Sequence, residues 1–386
     1  MKTCAFSVLL FLSVALPAQS FEKDTKPVVV TVKGTPRNDI KLSDLVVPTG
    51  YVVLSKSGWS ESLEKLLFLK EGILVICSKE NSQYKEACLF SESGKFKCVV
   101  SSTNPVDSFG VWGMASWDDE FTLFYPDRHV FSTYASVVEK PRILPVNAFG
   151  DMIERTTDGT YVLYNEHNPS EKEGLFYLNL YNKNGKLIRK EMPFSHVKDG
   201  FGYQLSGFLA KSGRDVWFSP RFVNTIYEVT SAGCTPRYEF DFGDNIPKDI
   251  VDNDFWGSEV FKYSFLGERF MRIGNMLLFD YTFKGKRSRG MFDEKTDQAI
   301  DFRSIQSDYF SELLSRGAIV SKDEDEFVLA LSAWQVQSLK NAEDIDLTAL
   351  NQAYKGLGNT LTKAALDGNP VLIYFTYNRG ASIPER

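Results

Sequence analysis

Three histidines, His129, His167 and His196, are the only imidazole side chains in the sequence. Imidazole nitrogens bind zinc and iron, and three of them around one open position form a site that catalytic metals use. If separate strands brought the three together, the site would suit a metal-dependent lyase or hydrolase. The alternative interpretation is structural, because His129 follows Asp-Arg in a polar turn and His167 stands in Glu-His-Asn-Pro, two contexts that favour exposure to solvent.

A second candidate metal site consists of oxygen ligands. Glu154, Asn165 and Asp199 offer the carboxylate and amide oxygens that calcium prefers. An acidic chain supplies such a trio by chance, and the acidic run at 323–326 lacks the glycine turn and spaced ligands of a calcium loop. The leading interpretation therefore needs no cofactor, and zinc, iron or calcium belongs to the alternative.

Aromatic side chains are the one compositional excess, with 30 Phe, 17 Tyr and 6 Trp. Most of them must fill the core. Trp59, Trp112 and Trp117 stand near glycine, serine and acidic residues, at expected strand ends or loops. Exposed rings there would stack on a sugar or a peptide, whereas the alternative is ordinary packing. These tryptophans are the candidate ligand-binding residues.

Signatures of other functions are missing from the sequence. No Gly-x-Ser-x-Gly elbow occurs between a strand and a helix, and the Asp-Phe-Gly at 241–243 has no accompanying phosphate loop. The chain has 44 basic and 50 acidic residues, spread along its length, with a formal net charge of −6. This balance predicts no nucleic-acid partner.

The N-terminus has the pattern of a secretory signal. Within residues 1–20, Lys2 precedes the apolar run 6–16, and Ala-Gln-Ser at 18–20 fits a cleavage site. Cys4 lies before the apolar run, so a lipid anchor is not expected. No later segment has the roughly 20 apolar residues of a membrane helix. We expect a soluble periplasmic or extracellular protein, cleaved near Ser20.

Four further cysteines, Cys77, Cys88, Cys98 and Cys234, match no zinc-binding spacing. In an oxidising compartment, adjacent strands would allow a bridge from Cys77 to Cys88 or from Cys88 to Cys98. The preferred interpretation is free, buried thiols.

Short β-branched and aromatic runs between turn residues predict an all-β protein. The segments 89–100, 180–192 and 226–240 each contain a strand, a glycine turn and a second strand. The turn glycines Gly185 and Gly233 are 48 residues apart, close to the length of a four-stranded propeller blade. The turn glycines of the first two hairpins, Gly94 and Gly185, are 91 residues apart, close to two such lengths. Segment 123–134 would be the outer hairpin of the blade between them.

This spacing predicts a single six-bladed β-propeller over residues 21–386. Its ring would be closed by pairing 26–33 with 370–378, because an open ring leaves a long exposed edge. Helical periodicity at 305–315 and 348–366 predicts insertions near the C-terminus. The predicted blades are 51–100, 109–145, 147–195, 203–245, 265–302 and 325–380.

Segments 40–55, 224–247, 252–273 and 367–378 resemble, in order and spacing, the six-bladed propellers common in Bacteroidetes, which are usually secreted or lipid-anchored. The divergent segment 101–114 departs from the glycine-rich second blade of that family. The resemblance implies a non-enzymatic binding or scaffold protein of the bacterial cell envelope, with a glycan, peptide or protein partner. A metal-dependent enzyme in the central channel and a subunit of an outer-membrane uptake complex are the alternatives.

Overall fold

The structure, a computed structural model, describes residues 26–32, 34, 36–55, 63–78, 84–100, 110–146, 150, 152–165, 176–193, 208–247, 250, 260–306, 308–340, 345–378 and 380–384. Within them the chain forms five four-stranded sheets, one five-stranded sheet and one two-stranded sheet. Six of these sheets stand around a common axis as blades. The predicted all-β six-bladed propeller is confirmed.

The chain begins with four short elements that lie outside the first blade. Blades 1 to 3 then take four consecutive antiparallel strands each, and the first strand of each blade lies innermost. The elements are β1 (Val28–Thr31), β2 (Arg37–Lys41), α1 (Leu42–Leu45), β3 (Val46–Val53); β4 (Leu63–Leu69), β5 (Gly72–Ser78), β6 (Lys85–Phe90), β7 (Phe96–Val99); β8 (Gly113–Trp117), β9 (Glu120–Tyr125), β10 (Val130–Tyr134), β11 (Arg142–Pro145); and β12 (Met152–Arg155), β13 (Tyr161–Tyr164), β14 (Phe176–Tyr181), β15 (Leu187–Pro193).

Blades 4 and 5 also take four consecutive strands each, and β1 adds a fifth to blade 4. Blade 6 takes three consecutive strands and β3, and helices are added around it. Two short 3-10 helices, Pro126–Arg128 and Val260–Lys262, lie in connections. The remaining elements are β16 (Phe208–Ser212), β17 (Asp215–Ser219), β18 (Thr225–Thr230), β19 (Gly233–Asp241); β20 (Ser264–Ile273), β21 (Met276–Phe283), β22 (Lys286–Asp293), β23 (Gln298–Asp301), β24 (Ile305–Gln306); α2 (Tyr309–Arg316), β25 (Ala318–Ser321), β26 (Glu326–Leu331), α3 (Ala333–Lys340), α4 (Leu347–Ala353), α5 (Leu357–Asp367) and β27 (Val371–Tyr377).

The core lies between the blades. Six apolar clusters each join one pair of neighbouring blades, and the cluster around Val328, Leu372 and Cys88 joins blade 6 to blade 1. Second strands are covered on both faces by neighbouring blades, so they are almost continuously apolar and buried: six of the seven residues of β5 are buried. Apolar burial on this scale stabilises the ring as one unit.

The predicted closure of the ring is wrong. Segment 26–33 does not pair with 370–378: β1 runs parallel to β19 and adds a fifth strand to blade 4. The strand that closes the ring is β3, antiparallel to β27, with Val52 opposite Leu372. The physical reason is strand length. The eight residues of β3 pair along the whole outer edge of β27, whereas β1 has only four residues and would leave part of that edge unpaired.

Segment 123–134 is also not an outer hairpin. It contains the end of β9 and all of β10, the second and third strands of blade 2, joined by the 3-10 turn at 126–128. The three glycine hairpins at 89–100, 180–192 and 226–240 do join third and fourth strands. Gly94 and Gly185 have φ of 82° and 77°, the left-handed conformation that such a turn requires.

The C-terminal helices cover the outside of blade 6. Residues 305–306, predicted as helical, form β24, and the helix α2 begins at Tyr309 after its N-cap Asp308. Asp308 accepts hydrogen bonds from the amides of Phe310 and Ser311, and also from that of Ser43 in α1. No helix among the described residues is long and apolar enough to cross a membrane.

The four described cysteines are free thiols. Cys77 and Cys88 are buried in the apolar cluster between blades 1 and 6. Cys98 is exposed because β7 is the outer edge strand of blade 1, and Cys234 is half-buried, so the prediction of buried thiols holds only for Cys77 and Cys88. Burial, with the carboxylate of Glu191, raises the pKa of the Cys234 thiol to about 12.

Candidate functional site

A large cavity lies on the propeller axis. Its volume is about 690 Å³, in the range of small-molecule sites, and all six innermost strands contribute to its wall. Its lining includes Lys65, Leu67, Trp112, Ser116, Met152, Glu154, Phe208, Lys211, Arg269, Met271, Ala318 and Lys322.

The channel wall is basic although the chain as a whole is acidic. Among the described lining residues, five carry positive charge and only Glu154 carries negative charge. The cations are Lys65, Lys85, Lys211, Arg269 and Lys322. Low-dielectric walls of one charge sign concentrate the opposite charge, so the channel attracts anions.

A polar cluster from four blades lies within the channel. Lys65 of blade 1 donates to the Glu154 carboxylate of blade 3 at 2.6 Å, and to the Ile153 carbonyl at 2.9 Å. Lys211 of blade 4 donates to the Ser116 carbonyl of blade 2, also at 2.6 Å. The cluster therefore ties four separate blades together at the axis, and three of its side chains are ionisable.

The ammonium of Lys211 has a lowered pKa. Burial lowers its pKa below the usual 10.5, and the positive charges of Arg155 and Lys65 act in the same direction. The carboxylate of Glu154 opposes this shift but does not cancel it. An anion bound nearby would relieve the repulsion between these cations.

Trp112 is the predicted ligand-binding tryptophan that the structure places on the channel wall. The ammonium of Lys85 lies 4.2 Å from the centre of its ring. The indole is half-buried, directly before the innermost strand of blade 2. The ring and the cation together form an amphiphilic stretch of wall, which suits a ligand with both apolar and charged parts.

Trp117 has a packing role in the structure. Its indole N–H donates to the Thr157 carbonyl at 2.8 Å, and the Arg155 guanidinium lies 4.6 Å from its ring. A Cβ at position 159 would come within 3.0 Å of this ring, so the close approach depends on Gly159. Trp117 joins blades 2 and 3 and is not among the described channel-lining residues, and Trp59 lies outside the described residues.

The predicted metal sites stay predictions. His129 lies in the turn between β9 and β10, with a left-handed φ of 51°, and is not among the described channel-lining residues. His167, His196 and Asp199 lie outside the described residues. Glu154 lies in the channel and is bound by Lys65, whereas Asn165 is buried beyond the end of β13. The described ranges contain no group of three or more His, Cys, Asp or Glu side chains able to hold a metal ion.

Sequence reasoning missed the lysines of the cluster. Lys211 is the one charged residue of its strand, FLAKS, whereas Lys65 stands beside Glu64 in LEKLLFL. A charged residue among the apolar residues of the first strand of a blade is the signal that could have indicated them, because charged side chains are rarely buried without a partner. Glu154, beside Arg155 in MIER, has a similar pattern.

A smaller cavity of about 220 Å³ lies between blades 4 and 5. Its buried carboxylate, Asp280, is bound by Arg289 and Arg287. Burial alone would raise the pKa of Asp280, but these guanidinium groups hold it below its ordinary value. With its charges paired, this cavity offers less to a ligand than the axial channel does.

Comparison with known proteins gives a family and a fold. Residues 27–376 match the family model described as "Domain of unknown function (DUF4934)". A candidate exported protein from Bacteroides fragilis is similar in structure, with a TM-score of 0.68, 15% identity and coverage of 91% of this chain and 100% of that one. A DUF4221 member from Bacteroides vulgatus has a TM-score of 0.47 and 8% identity, covering 86% of this chain and 98% of that one. No curated protein matches the sequence.

Proposed function

The chain belongs to the DUF4934 family, and from the channel of its propeller we propose that it is an exported binding protein whose axial channel takes a negatively charged ligand. The observation that carries the proposal is the charge of the channel wall. Five cations and one carboxylate among the described lining residues give a local excess of positive charge in a chain of net charge −6. Such a reversal of charge in a cleft concentrates anions there.

The rest of the wall limits what the ligand can be. Apolar groups from Leu67, Met152, Phe208 and Ala318 share the channel with the cations. A ligand that fills it therefore has an apolar or ring-shaped body as well as its charge. An acidic glycan unit or the acidic end of a peptide has this character, and the half-buried Trp112 on the wall offers an aromatic contact to a sugar ring.

Export to the cell envelope is supported by the N-terminal sequence. Residues 1–20 have the charged start, apolar run and small-residue site of a secretory signal. A candidate exported protein from Bacteroides fragilis shares the fold. In the envelope, acidic sugars and peptides are accessible to a protein of this kind.

The proposal is tested by calorimetric titration of the purified protein with galacturonate oligosaccharides, their neutral galactose counterparts, and acidic and basic peptides. We expect acidic ligands to bind and neutral or basic ones to bind at least tenfold more weakly. In the double variant Lys65→Met, Lys211→Met the affinity for acidic ligands should fall roughly tenfold or more, the size of one or two lost charge-assisted hydrogen bonds.

The matched control is Lys97→Met, on the exposed outer strand β7, which should leave binding unchanged. Equal affinity for acidic and neutral ligands, or an unchanged double variant, would show that the channel does not select by charge. Binding to acidic ligands should also weaken as ionic strength rises, since the interaction is electrostatic.

A further inference from the structure

One carboxylate oxygen of Glu154 accepts no hydrogen bond from any described residue. Its Oε1 accepts the ammonium of Lys65 at 2.6 Å, and its side chain is only 4% exposed. Its Oε2 is buried and has no hydrogen-bond partner among the described residues. The nearby ammonium of Lys211 donates to the Ser116 carbonyl, not to this oxygen.

A buried carboxylate oxygen without a donor is costly. Burial removes water from this oxygen without a replacement donor, and most buried polar atoms in proteins have a partner. Glu154 belongs to the channel wall, so a donor in the channel reaches Oε2 once the carboxylate turns this buried oxygen toward the cavity. Lys65 and Lys211 lie in the same electrostatic cluster, because their charges and that of Glu154 influence one another. The wall therefore presents an acceptor next to two cations.

We propose that the channel recognises an acid that also carries a hydroxyl or amino group close to its acid group. The acid group binds Lys65 and Lys211, while the hydroxyl or amino group donates to Glu154 Oε2. This inference rests on the proposed function and makes it more specific. Sugar acids and amino acids have both groups. Simple carboxylic acids lack the donor, and neutral sugars lack the acid.

The first test compares ligands of matched size by calorimetric titration of the wild-type protein. The probes are galacturonate, cyclohexanecarboxylate, which keeps the acid and the ring without hydroxyls, and galactose, which keeps the hydroxyls without the acid. Phenylalanine and phenylpropionate form the corresponding amino-acid pair. We expect the acid with a donor to bind roughly tenfold more tightly than its donor-free partner in at least one pair, the value of one charge-assisted hydrogen bond.

The second test changes the acceptor. In Glu154→Gln the charge assistance to the donor disappears, so the affinity ratio within the preferred pair should fall toward one. The donor-free acid should bind more tightly than in wild type, because the channel loses its one described negative charge. These opposite changes would not follow from a merely structural role. Glu191→Gln, on the outer strand β15 of the same blade, should change neither affinity.

The outcomes separate the two proposals. If both members of each pair bind equally well and lose affinity together in the Lys65 and Lys211 double variant, the channel binds anions but the donor requirement is wrong. If Glu154→Gln weakens or strengthens both members by the same factor, the role given to Glu154 Oε2 is also wrong. If no acid of either pair binds, the anion-binding function itself is overturned.

Discussion

At the scale of single residues, the channel depends on charged groups that the fold brings to its wall from separate blades. Lys65 and Glu154 form a direct pair, with side chains 25% and 4% exposed. The pair by itself is weak evidence for stability, because desolvation offsets much of the attraction. Its position at the meeting point of several blades instead favours recognition of a ligand. Lys211 has no described carboxylate in direct contact and donates to the Ser116 carbonyl, so an anion in the channel can pair with its charge.

The lowered pKa of Lys211 predicts a pH dependence of anion binding. Because its pKa lies below the usual 10.5, the ammonium loses its proton, and its attraction for an anion, at a lower pH than an ordinary lysine. Affinity for galacturonate, whose carboxylate stays ionised, should therefore fall as pH rises toward 10.5. Titrations at fixed ionic strength from pH 6 upward would measure this loss.

The control for this prediction keeps the charge at position 211 over the whole range. In Lys211→Arg the guanidinium stays protonated, so the alkaline loss of affinity should be reduced or moved to higher pH. The same pH profile in wild type and in this variant would assign the loss to another group.

At the scale of elements, the fifth strand of blade 4 is the unusual feature. Strand β1 runs parallel to β19 and buries Val30 completely in the cluster that contains Tyr238 and Phe240. On the opposite face of the same strand, Val29 is 56% exposed. The strand therefore covers an edge that the four sequential strands of blade 4 would leave open.

Two substitutions on β1 test whether this strand is docked. Val30→Ala removes about two buried methylene equivalents, so we expect the free energy of unfolding to fall by about 1.5 kcal/mol or more. Val29→Ala, one position along and largely exposed, should change it by less than about 0.5 kcal/mol. Urea denaturation followed by tryptophan fluorescence gives both values. Equal effects would mean that β1 does not hold this position in solution.

At the scale of the whole molecule, the ring is closed by strands from opposite ends of the sequence. Strand β3 pairs with β27 from Val46 opposite Tyr377 to Val53 opposite Val371. Six interblade clusters form a continuous cycle only when this pairing is made, because blade 6 otherwise lacks its outer strand. The closing strand therefore contributes to the stability of every blade.

Two truncations distinguish this closure from the role of β1. A variant that starts at residue 36 lacks β1 and keeps β3, so it should fold as a monomer with reduced stability. A variant that starts at residue 54 also lacks β3 and exposes the edge of β27, so it should aggregate or fail to show a cooperative unfolding transition. Size-exclusion chromatography and near-UV circular dichroism would show the difference. Equal behaviour of the two variants would contradict closure by β3.

Sequence patterns predicted the fold class because propellers are built from local pairings. Each hairpin joins strands that are neighbours in the chain, and glycines such as Gly94 and Gly185 mark the turns by a backbone conformation that other residues avoid. Repetition of this local signal was enough to predict six blades and the general positions of the strands.

Tertiary structure alone decided the closing strand and the binding site. Both 28–31 and 46–53 are apolar runs, and local sequence does not distinguish a strand that extends blade 4 from one that completes blade 6. Lys65, Glu154 and Lys211 are likewise far apart in the chain, and their neighbours in the sequence give no sign that they meet. Closing the ring brings the first strand of every blade to one axis, and that long-range geometry is what converts three isolated charges into a site.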